Sequence, residues 1–179
     1  EARNIRIQLL DDRGKPLPVN ETDVPSSSTA SDSSPLVADK DGWLTLFDGA
    51  SRDHWKHYGL PGQGDYAAVD GVLKKESQVD QGLLAHDQEF SDFVLQLEYR
   101  LNHIDDKARV YFRLHPHGNR PPTETLAVNL VDDRGSRQGG RTSKRSANAR
   151  TNGALYEVIE PDRPVDLPFG DWHALEVRA

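Results

Sequence analysis

Several residues in this chain have the types and spacing that chemistry needs. His115 and His117 flank Pro116 in Val110–His117, VYFRLHPH. Two imidazoles at i, i+2 point the same way from an extended backbone, and imidazole suits a transition metal. No third ligand stands nearby in sequence, so a solvent-facing loop pair is the simpler reading. Asp132 and Asp133 offer a general base or hard-cation oxygens at a strand end, although Asp-Asp-Arg-Gly is equally good turn chemistry. Arg113 alternates to the face opposite Val110, Phe112 and Leu114. There a guanidinium can hold an anionic oxygen or sit in a surface ion pair. No local pattern places two carboxylates across a bond as a glycosidase would.

The elements that must position these groups are strands. In Asp92–Leu101, DFVLQLEYRL, the residues Phe93, Leu95, Leu97, Tyr99 and Leu101 alternate with Val94, Gln96, Glu98 and Arg100. That period of two describes a half-buried antiparallel strand. Further strands are expected at Ile5–Leu9, Trp43–Phe47, Trp55–Tyr58, Tyr66–Val69, Val72–Lys74, Leu83–His86, Arg109–His115, Leu126–Val131, Ala154–Ile159 and Trp172–Arg178. Turn dipeptides such as Asp48-Gly49, Asp70-Gly71 and Asn152-Gly153 separate them. With 14 Gly, 11 Pro and no segment of helical period, the chain reads as an all-β sandwich or jelly roll.

Composition narrows the function. The chain has 179 residues, a formal charge of −7 and 35% apolar residues, with a mean hydropathy of −0.73. That fits one sizeable domain with a modest remainder. The acidic balance argues against a nucleic-acid partner, which needs a basic face. No run approaches the roughly 18 apolar residues of a membrane span. Without cysteine, disulfides and thiolate metal sites are excluded. Residues 11–35 are rich in Pro, Ser, Thr and Asp and read as a flexible linker before the main domain at 36–179. The stretch Arg134–Arg150 carries six basic residues and no acidic one. It reads as a solvated loop or as a contact for an anionic glycan or an acidic surface.

Six pieces in order resemble the 3-keto-disaccharide hydrolase domain family: GWLTLFDG (42–49) followed by Trp55, VDGVL (69–73), LLAHDQEFSDFVLQLEYRL (83–101), VYFR (110–113), NGALYEVIEP (152–161) and GDWHALEVR (170–178). The resemblance implies a concanavalin A-like jelly roll, incomplete at its C-terminal end, and a carbohydrate partner. It also implies a periplasmic or extracellular location. Residues 1–10, EARNIRIQLL, resemble the family's closing strand. Either they end a preceding similar domain in a tandem chain, or they fold onto this domain's own sheet.

For a 3-keto sugar, the implied chemistry is removal of the acidified C2 proton, departure of the C1 substituent and addition of water. That needs a base and something to hold the enolate oxygen. Arg113 occupies the strand-end arginine of the resembled family and is a catalytic candidate, beside Asp132 and His115, which residue type and position suggest. Tyr156, Trp55, Arg109 and Asn129 are the substrate-binding candidates. Trp55 can stack on a sugar but falls at a framework position, as does Trp172, and His173 shares a strand face with Leu175 and Val177. No metal ligands are assigned, and the cofactor stays open, a divalent metal included. The chain departs from the family pattern at Lys107-Ala108-Arg109 and at Ala127, where the family has Glu. Three functions therefore compete: cleavage of a 3-keto-glycoside, non-catalytic glycan binding, and a structural repeat. Fold alone does not choose among them.

Overall fold

In the computed structural model the described residues are 1–17, 36–59, 65–76, 82–104, 106–114, 126–131, 149–163 and 167–179. Their regular elements are all strands: β1 (Ala2–Leu9), β2 (Trp43–Phe47), β3 (Trp55–Tyr58), β4 (Tyr66–Val69), β5 (Val72–Lys75), β6 (Leu83–His86), β7 (Phe93–Tyr99), β8 (Lys107–Phe112), β9 (Leu126–Val131) and β10 (His173–Arg178). The all-β jelly-roll class read from the sequence holds. The chain divides into two compact units, residues 1–99 with 174–179, and residues 100–173.

The first unit is organised by β1. Its register pairs Ile7 with Leu95 of β7 on one edge and with Leu44 of β2 on the other. At the same strand's start, Ala2 faces Tyr99 of β7 and Leu73 of β5. The sheet order is thus β10-β7-β1-β5-β4, with β2 also on β1. Alternation sorts the two faces. Ile5, Ile7, Leu44, Leu46, Leu73, Phe93, Leu97, Tyr99 and Val177 are buried. On the polar face Arg6 donates to Gln96 Oε1 at 2.8 and 3.1 Å, and Gln96 donates to Glu176 at 2.7 Å. Arg6 also lies 4.4 Å over the Trp43 ring. This row ties β1, β7 and β10 side chain to side chain, as cross-strand pairs do.

β1 is kinked. Asn4 adopts φ of 52°, a left-handed conformation that Asn tolerates better than most residues. The register shifts between Arg3 and Arg6 against β7 and between Ile5 and Arg6 against β2, as at a β-bulge. Asn4 and Arg3 both donate to Glu98 Oε2, at 2.9 and 2.7 Å, which holds the kink against β7.

β4 and β5 form a tight hairpin through Asp70 (φ 51°) and Gly71 (φ 78°), with Val69 opposite Val72. Two positive φ angles in a two-residue loop match strand twist, which is why Asp-Gly is favoured there. A side chain at Gly49 would be strained, since its φ is 94° and a Cβ would lie 3.1 Å from the Gly71 Cα. β3 and β6 pair separately as a two-stranded ribbon with Trp55 opposite His86.

Several strand limits differ from the sequence expectation: β1 begins at Ala2, β5 reaches Lys75, β7 ends at Tyr99 rather than Leu101, β8 begins at Lys107 and β10 at His173. β8 ends at Phe112, where Arg113 turns to φ of 56°. Residues 154–159 form a turn joined to β9 by the bridge between Val128 and Leu155, because Glu157 has φ of 60° and the Val158 and Ile159 amides fold back to Leu155 O. Residues 18–35 of the expected linker lie outside the described residues.

Burial of β1 between two partners gives a direct test. Ile7→Ala should lower unfolding free energy by about 2–4 kcal/mol in chemical denaturation. Val37→Ala, at a side chain 76% exposed, should change it by no more than about 0.5 kcal/mol.

Candidate functional site

In the second unit, β8 and β9 pair with Arg109 opposite Asn129 and Tyr111 opposite Ala127. Segment 150–157 runs along the other edge of β9. The Asn129 amide donates to Ala154 O at 2.9 Å, Gly153 N to Asn129 O at 2.8 Å, and Tyr156 N to Ala127 O at 2.8 Å. Two buried asparagines fix this segment. The Asn129 side chain donates to Arg150 O at 2.6 Å, and Asn152 Oδ1 accepts from Val131 N at 3.2 Å. Buried polar groups need such partners, and here the partners are backbone.

The pleat then sets one face. Tyr111, Ala127 and Tyr156 form a row across three strand segments, with Arg109 and Asn129 in the next row. Because Ala127 is small and buried, the Arg109 guanidinium can reach across it to lie 3.8 Å over the Tyr156 ring. Arg109 also makes a 3.5 Å contact with the Tyr111 hydroxyl. Partial burial disfavours its charge, but the Tyr111, Tyr156 and Glu157 oxygens outweigh that and hold it above the usual arginine value. Arg150 lies 6.0 Å from the same Tyr156 ring and pairs with Glu157. The result is a cation held over an aromatic face, with its N–H groups able to hold an anionic or carbonyl oxygen.

The structure thus brings Arg109, Asn129 and Tyr156 together. Asn129 is 3% exposed and supports the segment that carries Tyr156. Arg113 stands two residues beyond Tyr111, exposed and left-handed at the end of β8. His115, His117, Asp132, Asp133 and residues 134–148 lie outside the described residues. Trp55 belongs to the first unit, where its indole N–H donates to Leu46 O at 2.8 Å. Trp172 carries Arg100 at 4.8 Å over its ring, and His173 Nε2 meets Pro168 O at 2.8 Å.

A second group had no signal in local sequence. His54 precedes β3, and His86 and Asp87 close β6, so only strand register brings them together. Their ligand atoms lie within 4.8 Å of one another. The two imidazoles are 5.5 Å apart and nearly parallel, with Trp55 edge-on to His86. Burial drives the His86 pKa down to about 4, the Asp87 carboxylate opposing and His54 assisting.

The 3-keto-alpha-glucoside-1,2-lyase-like domain family matches residues 42–179. A 3-keto-disaccharide hydrolase of Bacteroides thetaiotaomicron is 24% identical over 164 residues, covering 82% of this chain and 55% of that protein. The chain therefore spans about half the length of the curated relative.

His86 gives a pH prediction for the chain in chelator-treated buffer. Its folded pKa of about 4 lies below the 6.5 of the unfolded state. Between those values the unfolded chain takes up a proton that the folded chain refuses. Stability should therefore be full above about pH 6.5, fall as pH drops and level off below about pH 4, by at most about 3 kcal/mol. In His86→Gln the melting temperature should depend less on pH across that window.

Proposed function

The chain belongs to the 3-keto-alpha-glucoside-1,2-lyase-like domain family, and we propose that its β8–β9 face holds a 3-keto-glycoside. The observation that carries this reading is Arg109 laid 3.8 Å over Tyr156 and in contact with the Tyr111 hydroxyl. Arg109 donates to the oxygen at C3, which gains negative charge when C2 loses its proton. Tyr156 positions Arg109, and Asn129 in turn positions the segment bearing Tyr156. Asp132, which follows β9 in sequence, is the proposed base, with His115 the alternate and Arg113 a further donor at the end of β8. Proton removal from C2 makes the enolate, the C1 substituent then departs, and water adds to the resulting double bond. The location in keeping with this role is periplasmic or extracellular.

A second reading has one observation in its favour. Ala127 stands in the central row where the family has Glu, and it is 3% exposed. A face without that carboxylate suits glycan binding without turnover.

The test is incubation of the full chain with 3-keto-trehalose, with and without divalent metal, while released sugar and bound sugar are both measured. Release supports cleavage, and binding without release supports the module. Neither would overturn both readings. Arg109→Ala should weaken sugar binding at least about tenfold, corresponding to about 1.4 kcal/mol. Tyr156→Phe, which keeps the ring beneath the guanidinium, should stay within about twofold.

A further inference from the structure

The β3–β6 ribbon holds a group of side chains that the sugar-binding face does not use. We propose that His54, His86 and Asp87 bind a divalent transition-metal ion of the Zn2+ or Co2+ type, which clips β3 to β6.

The distances carry the argument. Asp87 Oδ1 lies 3.4 Å from His54 Nδ1 and 3.9 Å from His86 Nδ1. Both exceed the roughly 2.7–3.2 Å of a hydrogen bond. They lie near the separation that ligand atoms keep around a shared ion. Bonds of about 2.0–2.1 Å in a tetrahedral site put neighbouring ligands about 3.3 Å apart. A small contraction of the three side chains would bring them onto one ion, with the remaining position open to water or another ligand.

The surroundings suit such an ion. The His86 and Asp87 side chains are 7% and 9% exposed and that of His54 is 21% exposed, so one side stays accessible. Trp55 at 5.3 Å and Phe90 at 5.5 Å from the His86 ring form an apolar wall, which strengthens metal–ligand electrostatics. The ligand segments are already tied together, because the Asp87 amide donates to His54 O at 2.8 Å. His86 Nδ1 receives the Gln88 amide at 3.1 Å, so binding through that atom displaces a single backbone hydrogen bond. Its Nε2 is buried with no hydrogen-bond partner among the described residues. Lys56 approaches Asp87 Oδ2 at 3.9 Å but is 51% exposed, and it can swing into solvent when an ion arrives.

The ribbon also has a use for the ion. A two-stranded sheet is marginal by itself, and β3 and β6 are four residues each. A bound ion fixes one end of that pair where backbone hydrogen bonds are few.

The test uses the full chain with CoCl2 and ZnCl2. Titration calorimetry and the visible absorption of bound Co2+ should report a site with nitrogen ligands. At a hundredfold excess over Kd, either metal should raise the melting temperature by about 5 °C. Asp87→Asn, nearly isosteric, and His54→Gln, at the more exposed ligand, should each lose at least about tenfold in affinity along with the Co2+ spectrum and the thermal shift. A His115→Gln/His117→Gln double variant should keep all three. The proposal is overturned if neither metal binds. It is equally overturned if Asp87→Asn and His54→Gln bind Co2+ as the unsubstituted chain does, or if the signal vanishes with the His115 and His117 pair instead.

Discussion

Hydrogen bonding on both edges of β1 is the constraint on which the six-stranded sheet depends. On one side stand β7 and β10, on the other β2, β5 and β4. Among the described residues β1 alone joins the two groups, so the buried faces of Phe93, Leu97 and Val177 and of Leu44 and Leu73 are brought into one core through Ile5 and Ile7. Two edges satisfied at once also leave β1 with few unpaired backbone groups, the condition that a central strand must meet. Polar residues reinforce the same junction, because Arg6, Gln96 and Glu176 line up across β1, β7 and β10.

A comparable economy governs the face around Arg109. Most of the polar residues near it are structural. Asn129 and Asn152 direct their side chains to backbone atoms and so hold segment 150–157 on β9. That placement puts the Tyr156 ring beneath a guanidinium from a different strand. Shape matters as much as charge here. Ala127, small and buried, shares the row of Tyr156, and the Arg109 guanidinium lies over that ring.

Much of the fold was legible because it follows local rules. Period-two alternation in DFVLQLEYRL marked β7, and Asp70-Gly71 marked a hairpin that both residues close with positive φ. Segment 154–159 was misread for a related reason. Its apolar residues alternate well enough for a strand, but nothing in the residue types announces the left-handed Glu157 that turns it. Of the candidate site, Tyr156 falls in a segment that matches the family pattern, whereas Arg109 stands where the chain departs from it, and the contact between the two depends on the β8–β9 register. His54 and His86 were the least legible. They are distant in sequence, and only the pairing of Trp55 with His86 makes them neighbours.

The left-handed Asn4 has a consequence for how β1 can be used. A regular strand can slide along its neighbours by two residues and recover the same hydrogen bonds and the same buried face. β1 cannot, because a two-residue slip would carry the sites shaped for Asn4 onto Ala2 or Arg6, leave Glu98 without its paired donors, and move the bulge away from the place where both neighbouring ladders accommodate it. The kink therefore works like the notch of a key. It admits this strand in one alignment.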